Sequence, residues 1–419
     1  MTSSNTPDDL DGASPSTSAV TLAQSGAECL VAADMLARQF AARASTRDLE
    51  RQLPFEEFDL IRAHGLQAIR VPKKFGGPGG SVRDLAEMTR IISKGDPNIA
   101  QALSPHLLAA DAVMLWGTPA QQKKFCADII SGHIINNAFA ERGGKFVGEI
   151  ATRLTADGDG YRLQGQKFYS TGALMADQIY ATAIMDDGVI ALVFVPCQRE
   201  GLDLIDDWDG MGQRATASGT TVFNNIRMER SEVMPLPMFA TQRTFFGGLA
   251  QSVHAAIDTG IAEAALDDAV EFAGTKARPM PESGVDRQVD DPYVISTIGH
   301  MTVYTHQAEA MLSRAVDFLG PAVAAQLNGT VAGKELEQLL VKSSIAVAEA
   351  KITATDASLR VSEMLYNVAG ASATLRKYNF DRHWRNARTH TTHDPVSYKY
   401  KHVGNYSLSG TLPPISTKF

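Results

Sequence analysis

The sequence is poor in cysteine, in excess positive charge and in long apolar runs, and each shortage excludes a class of protein. Its 419 residues include only Cys29, Cys126 and Cys197. They form no CxxC pair, so we predict neither a disulfide framework nor a metal site and expect a reducing, cytoplasmic location. The net charge of −8 argues against nucleic acid or an anionic membrane as the main partner. No apolar run reaches the length of a membrane span.

What the chain does contain is the composition of an ordinary globular protein, with 44% hydrophobic and 21% charged residues. Changes in periodicity predict an α+β protein of three folded domains. The predicted segments are a disordered tail at 1–18, a helical domain at 19–133, a β domain at 134–238, a helical bundle at 239–403 and a C-terminal tail at 404–419.

The patterns also predict the architecture of the last two domains. Short strands separated by turn residues in the β domain are typical of a small β-barrel or sandwich. Helical periodicity then returns in three long segments, Phe246–Ala273, Tyr293–Phe318 and Lys334–Ala369, whose lengths suit a four-helix bundle.

The most chemically informative stretch is Asp381–Lys401, which reads DRHWRNARTHTTHDPVSYKYK. His390 and His393 are three residues apart, so in a helix or tight turn they project to one side. Asp394 follows, and the proline after it indicates the end of an element. Two imidazoles and a carboxylate there suit proton handling at a reactive centre. The alternative is a solvated basic helix in which the histidines have no function.

Three further motifs carry a resemblance to a known family. They are NNAFAE at Asn136–Glu141, GQKFYSTGA at Gly165–Ala173 and WDGMGQRATASGT at Trp208–Thr220. With the domain order, they resemble the acyl-CoA dehydrogenase superfamily, whose members bind a flavin between the β domain and the bundle. The resemblance implies an N-terminal helical domain, a central β domain and a C-terminal four-helix bundle.

The resemblance also implies which residues hold the flavin. Arg278 matches an arginine that binds the flavin phosphate. A run of small residues would approach the flavin from a neighbouring subunit, which implies a homotetramer: Gly370, Ala371, Ser372 and Ala373. The remaining implied contacts lie on the flavin strands: Asn137, Phe139, Ala140, Tyr169, Ser170 and Thr171.

The run from Arg382 to Tyr406, with its HTxHDPV motif, resembles the flavin-dependent monooxygenase branch of that superfamily, which includes sulfur-acquisition enzymes. The branch implies reduced FMN (with FAD as an alternative) supplied by a separate NAD(P)H:flavin reductase. It also implies O2, a C4a-hydroperoxyflavin and a small organosulfur substrate. His390 and His393 would act on oxygen, Thr171 would donate to flavin N5, and Asp394 would orient His393.

Two other functions stay open at this point. In an acyl-CoA dehydrogenase, Asp394 would occupy the position of the catalytic base, while a non-catalytic flavin-binding protein would keep the fold and lose the chemistry. The substrate region of the oxygenase branch maps onto Gln101, Pro105 and His106. Gln101 and Pro105 replace a histidine and a tyrosine of that branch, and His106 also suits a structural place in the core.

Overall fold

The N-terminal part of the chain is a layer of helices packed around an apolar core. The computed structural model describes residues 22–146, 148–239, 241–416 and 418–419, so the predicted disordered tail lies outside the described residues. Helical periodicity from Gly26 to Ile130 produces α1 Gly26–Glu50, α2 Phe55–Ala63, α3 Val82–Gly95, α4 Pro97–Trp116 and α5 Pro119–Ile130.

Local capping residues fix where these helices begin. Ser81 and Asp84 form a capping box at the start of α3, as their spacing predicts. Thr118 and Gln121 do the same for α5. The Asp96 side chain accepts from the backbone N–H of Asn98 at the start of α4. Helix α4 is buried along most of its length, which makes it the central helix of this domain.

The middle of the chain is one mixed sheet. Its strands are β1 Ile135–Ala138, β2 Arg153–Asp157, β3 Gly160–Ser170, β4 Gln178–Met185, β5 Ile190–Pro196, β6 Leu202–Ile205, β7 Gly219–Met228 and β8 Val233–Pro235. The order is β6-β7-β3-β2-β4-β5-β8, with β1 paired to β4. Strands β1 and β2 both run parallel to β4, β1 along its first half and β2 at its end.

The C-terminal part is a helical bundle. It consists of α6 Phe246–Thr275, α7 Pro292–Asn328 and α8 Gly333–Ala369, followed by the shorter α9 Asp381–Thr391 and α10 Val396–Ser409. Helix α8 packs against α6, α7, α9 and α10. The order of helical domain, β domain and bundle confirms the predicted α+β fold. None of the described helices is both long and apolar enough to cross a bilayer.

The structure corrects three local predictions. The sequence predicts no strand at Leu202–Ile205 or Val233–Pro235, but β6 and β8 form there and are only four and three residues long. The sequence predicts separate strands at Tyr161–Leu163 and Lys167–Ser170, but β3 runs unbroken from Gly160 to Ser170. Helix α7 continues through Pro321 to Asn328, ten residues beyond the predicted end at Phe318.

Candidate active site

Helix α9 is held against the β domain by its polar face. The side-chain oxygen of Asn386 accepts from the backbone N–H of Gln213 at 2.7 Å, and Arg385 donates to the Met211 carbonyl at 3.0 Å. A Cβ on Gly212 would clash with the backbone of α9 at Arg385, so only glycine permits this approach. These contacts place the next turn of α9, with His390, at the junction of the sheet and the bundle.

Four charged and polar side chains form a continuous buried row behind this junction: Lys351, Asp258, His390 and His254. Nδ1 of His390 lies 2.6 Å from Oδ1 of Asp258, and Nε2 of His390 lies 3.0 Å from Nδ1 of His254. The Lys351 ammonium pairs with Oδ2 of Asp258. Exposure falls along the row from 8% at His254 to 0% at Asp258. We call these residues the buried row.

The charges in the buried row determine where its protons lie. Burial alone would raise the pKa of Asp258, but the charge of Lys351 and the contact with His390 outweigh it, so the pKa is lowered. The ionised carboxylate is only an acceptor, so His390 must carry its proton on Nδ1. Burial lowers the pKa of His390 and of His254, which favours neutral rings. Nε2 of His390 then accepts from Nδ1–H of His254, leaving Nε2 of His254 as a base.

His393 lies at the open end of the buried row. Helix α9 ends at Thr391, as the following proline indicates, and the His393 side chain is 48% exposed. Its ring centroid lies 4.5 Å from that of His254 at an interplanar angle of 35°. His390 therefore bonds to Nδ1 of His254, while His393 packs against the same buried ring.

Asp394 lies among the side-chain nitrogens of one histidine and two lysines. Its carboxylate is 2% exposed, with His393 Nδ1 at 3.2 Å, Lys399 Nζ at 3.6 Å and Lys418 Nζ at 3.9 Å. Neither oxygen has a hydrogen-bond partner among the described residues. Burial opposes ionisation of Asp394, but the contacts with His393 and Lys399 outweigh it and lower its pKa. Burial also lowers the pKa of Lys399 to about 8.

The predicted flavin strands form an aromatic surface at the sheet edge. Phe139 packs edge-on against Tyr180 at 5.0 Å, and Ala140 bridges to β3 through the Phe168 backbone. Asn137 is half-buried beside them. Tyr169 is 50% exposed and has φ of +57°, a conformation that side chains rarely adopt. Such a strained, exposed aromatic residue is typical of functional sites.

Thr171 and Ser170 point into different environments. The Thr171 hydroxyl lies 2.9 Å from that of Ser218, which belongs to the turn at 208–220. The Ser170 hydroxyl is fully buried and accepts from Thr221 within the sheet at 2.7 Å. Thr171 is therefore coupled to the same turn that contacts α9, whereas Ser170 can reach a ligand only through its backbone.

Helix α4 contacts the same end of β3. The Asn136 side chain donates to the carbonyls of Ala102 and Gly172 at 3.2 and 2.8 Å. A Cβ on Gly172 would clash with the Ala102 carbonyl, so this close approach also requires glycine. The helix thereby brings its Gln101 region next to Thr171.

The other two substrate-region residues of α4 have backbone partners. The Pro105 carbonyl accepts from the Tyr180 hydroxyl at 3.0 Å. His106 Nδ1 accepts from the Ile135 N–H, and its Nε2 lies 2.9 Å from the Gln67 carbonyl. Burial lowers the pKa of His106 to about 4. Both ring nitrogens are thus occupied by backbone groups.

The residues predicted to approach the flavin phosphate or to reach a neighbouring subunit lie apart from this site. Arg278 is exposed after the end of α6. Gly370, Ala371 and Ser372 are exposed in a 3-10 turn that follows α8, whereas Ala373 in the same turn is buried. Among the described residues, no side-chain hydrogen bond joins Arg278 or this turn to the flavin strands. Within one subunit the structure therefore does not bring them to the candidate site, and their contact with a flavin stays a prediction.

Sequence patterns missed four polar residues of the site: His254, Asp258, Lys351 and Gln213. A signal for the first two was present, because they are four residues apart in the otherwise apolar α6 and so share one face. Gln213 is 3% exposed, and neither of its amide atoms has a hydrogen-bond partner among the described residues. A buried amide of that kind is suited to a ligand.

Two family models match the chain. The acyl-CoA dehydrogenase N-terminal domain matches residues 30–133, and the acyl-CoA dehydrogenase C-terminal domain matches residues 252–398. The second match contains Asp258, Lys351 and the whole of α9.

Named relatives extend the similarity over nearly the whole chain. A dibenzothiophene monooxygenase from Mycolicibacterium goodii is 33% identical over 391 residues, covering 90% of this chain and 93% of the relative. A probable FMNH2-dependent monooxygenase, SfnC from Pseudomonas putida, is 30% identical over 92% of this chain and 95% of the relative.

Solved structures agree with these relatives. FMN-bound TdsC from Paenibacillus sp. A11-2 superposes with a TM-score of 0.87 at 28% identity, covering 93% of this chain and all of that chain. Methanesulfinate monooxygenase MsuC from Pseudomonas fluorescens gives a TM-score of 0.84 at 29% identity, covering 93% and 99%. These matches confirm the resemblance found in the motifs: the chain belongs to the acyl-CoA dehydrogenase superfamily, in its flavin-dependent monooxygenase branch.

Proposed function

We propose that this monooxygenase binds reduced FMN delivered by a separate NAD(P)H:flavin reductase and uses it with O2 to oxygenate a small organosulfur compound. The observation that carries the proposal is the buried row, which ends at His254, whose ring packs against that of His393 at 4.5 Å. The names of the relatives support the rest: dibenzothiophene and methanesulfinate monooxygenases act on sulfur compounds, and one relative is named FMNH2-dependent.

The side chains at the sheet edge fit a flavin. Tyr169 offers an exposed ring, which stacks edge-on with Trp208 at 6.2 Å. Thr171 offers a hydroxyl, and Gln213 offers an unpartnered amide. Reduced FMN, when bound here, would supply the C4a-hydroperoxide chemistry by which one oxygen atom passes to the substrate. Thr171 would donate to flavin N5, and Asn137, Phe139 and Ala140 would line the ring edge.

The chain's own contribution is to hold and move protons. Oxygenation releases the second oxygen atom of O2 as water, so a proton must be delivered beside the substrate. His254 can take up a proton at Nε2 and pass its Nδ1 proton to His390, whose imidazolium Asp258 then stabilises at 2.6 Å. In the reverse transfer, His390 returns a proton to Nδ1 of His254, and Nε2 of His254 releases its proton beside the substrate. His393 packs against His254 and would contact the reacting oxygen atoms.

The environment of Asp394 argues against the acyl-CoA dehydrogenase alternative. A base for an α-proton must accept a proton readily, but His393 and Lys399 keep the pKa of Asp394 below its usual range. Each pKa unit below the working pH adds about 1.4 kcal/mol to the cost of protonating the carboxylate. Asp394 therefore suits a positioning role beside His393.

Phosphate binding and assembly complete the proposal. Arg278 would bind the FMN phosphate, and the turn at Gly370–Ala373 would contact the flavin of a neighbouring subunit in a homotetramer. Ala371 and Ser372 are exposed and small, so a partner can approach them closely. Gly370 has open space where a Cβ would lie and a φ of +62°, so its backbone is accessible to a ligand.

Rapid mixing tests the function directly. Protein loaded anaerobically with reduced FMN is mixed with O2 and a panel of organosulfur compounds, while flavin absorbance and oxygenated product are recorded. We expect a flavin–oxygen species that outlives the same species in free solution, and product that contains one atom from labelled O2. Reoxidation at the rate of free FMN without product, or flavin reduction by acyl-CoA thioesters, would overturn the proposal.

A further inference from the structure

A large cavity lies between α4, α6 and the sheet edge formed by β5 and β8. Its volume is about 660 Å³, within the range of small-molecule sites. The loop around Phe146 and the C-terminal residues Ile415 and Phe419 complete its wall. The apolar part of the remaining lining includes Leu115, Trp116, Ile190, Leu236, Met238 and Phe239, and the polar part includes Gln242, Thr244, Ser344 and Ser416. This mixed lining suits a compact ligand with an apolar body and a polar group.

One cation, Arg243, lies among the described lining residues. Its guanidinium donates to the carbonyls of Pro413 and Pro414 at 2.5 and 3.2 Å. Its buried Nε has no hydrogen-bond partner, and none of the carboxylates that the structure describes forms an ion pair with it. Burial lowers the pKa of Arg243, and only the more distant Glu337 opposes this. Arg243 is therefore a cation without a balancing anion.

A cation without an ion-pair partner in the cavity wall favours an anionic ligand. Hydrogen bonds to carbonyl oxygens leave the charge of Arg243 unneutralised, and only two of its five N–H groups donate to described acceptors. An oxyanion would balance the charge and accept from the remaining N–H groups, since guanidinium groups bind sulfur and carbon oxyanions through paired hydrogen bonds. A neutral ligand could accept a hydrogen bond but would leave the charge unbalanced.

The C-terminal residues extend from the cavity to the cluster around Asp394 in the candidate active site. Phe419 lines the cavity, and its ring centroid lies 5.9 Å from Lys399 Nζ. Lys399 also donates to the Lys418 carbonyl at 2.7 Å, while Lys418 Nζ lies 3.9 Å from Asp394. The C-terminal residues therefore connect the cavity to the cluster that contains His393.

We propose that this cavity is the substrate site and that the substrate is an anionic organosulfur compound, whose oxyanion binds Arg243 and whose apolar part fills the aromatic wall. The inference rests on the proposed monooxygenase function and narrows it, since that function alone is equally compatible with a neutral sulfide or thiophene. A sulfinate, in which sulfur carries the charge, and a thioether carboxylate, in which sulfur and charge are separate, share this chemistry.

Binding to flavin-free protein tests the inference without turnover. Isothermal titration compares benzenesulfinate and (phenylthio)acetate with two neutral ligands of similar size, methyl phenyl sulfone and thioanisole. We expect at least one anion to bind more tightly than both neutral ligands, with an affinity that falls as salt is raised. If only the sulfinate binds, the charge lies on sulfur; if only the thioether acid binds, it lies elsewhere.

Variants assign the effect to Arg243. Arg243→Met should weaken binding of the anion by about 10- to 100-fold and that of a neutral ligand by less than about threefold. Arg243→Lys should recover part of the loss. Lys123→Met, which removes an exposed charge from α5 away from the cavity, should behave as wild type. Melting temperatures show whether each variant folds. The salt dependence of anion binding to wild type tests the role of charge without relying on any variant.

Three results would overturn the inference: neutral ligands binding as tightly as the anions, no binding of either anion, or an equal loss for both ligand classes in Arg243→Met. The last would mean that Arg243 only holds the C-terminal segment through Pro413 and Pro414. Oxygenation of thioanisole by a protein that ignores the anions would refute the anionic substrate and leave the monooxygenase function intact.

Discussion

Replacing His254 by glutamine should separate the structural role of the buried row from its role in proton transfer. A glutamine amide can donate to Nε2 of His390 as Nδ1–H of His254 does at 3.0 Å. It cannot take up one proton and release another. We therefore expect the free energy of unfolding to change by no more than about 1 kcal/mol. His254→Phe, which leaves Nε2 of His390 without a partner, should cost about 1–3 kcal/mol.

The catalytic effect should be much larger than the structural one. General acid–base groups contribute about 10²- to 10⁴-fold, and His393 remains as a second imidazole beside the site. We expect a fall of about 10²-fold in product formation by His254→Gln, with the oxidised flavin accounted for as hydrogen peroxide. The assay measures product, peroxide and FMN oxidation together, in single turnovers that start from reduced FMN.

His383 provides a matched control. It is buried on the same helix as His390 and lies 2.7 Å from a carboxylate, Asp268, but it does not belong to the buried row. His383→Gln should therefore affect stability and not the ratio of product to peroxide. If His254→Gln forms product as efficiently as wild type, or if His383→Gln uncouples oxygenation equally, the buried row does not deliver the proton.

Three other predictions follow from the same structure. Arg278→Ala should weaken FMN binding by about 1.5–3 kcal/mol without lowering the melting temperature, which flavin titration and calorimetry will measure. Stability should fall as pH drops below about 6.5, because burial lowers the pKa of His254 and His390 and the unfolded chain then binds more protons. Each ring contributes up to about 1.4 kcal/mol per pH unit, and denaturation of His254→Gln should show a correspondingly shallower slope. Sedimentation should give a tetramer, and a monomer with unchanged FMN affinity would refute a site shared through Gly370–Ala373.

The sequence predicted those parts of the fold that local interactions determine. The predicted capping box at Ser81 needs only residues three positions apart and forms in the structure, and Thr118 caps the helix that begins at Pro119 as predicted. Strands β6 and β8 depend on their neighbours, because three or four residues cannot establish a period of their own. Helix α7 passes Pro321 without ending there, since packing along α8 outweighs the local preference for a break.

In the candidate site, too, local motifs were predictable from sequence and contacts between distant residues were not. His390 and His393 were predictable because they are adjacent in a short motif. Their partner His254 lies 136 residues from His390 in sequence. Lys351, on α8, pairs with Asp258 across the bundle. A sequence pattern shows that His254 and Asp258 share a helix face, but only the packing of α6, α8 and α9 makes that face meet His390.

Asp394 provides the sharpest comparison between oxygenase and dehydrogenase chemistry. If its charge serves to hold His393 and Lys399, Asp394→Asn should reduce product formation less than His254→Gln does. Removing one partner of a buried ion pair costs about 3–5 kcal/mol, so the variant should be clearly less stable at pH 6. Burial has already lowered the pKa of Lys399 to about 8. At pH 9 Lys399 is therefore largely neutral in both proteins, and the difference in stability should shrink.

Urea denaturation at pH 6 and pH 9, combined with anaerobic mixing of FMN-loaded protein with acyl-CoA thioesters, measures both effects. A catalytic base predicts a different pattern. Wild type would reduce its flavin with an acyl-CoA, Asp394→Asn would abolish that reaction, and His254→Gln would leave it unchanged. The structure favours the first pattern because the cations around Asp394 stabilise its ionised form, and a carboxylate stabilised in that way is a poor acceptor for a carbon-bound proton.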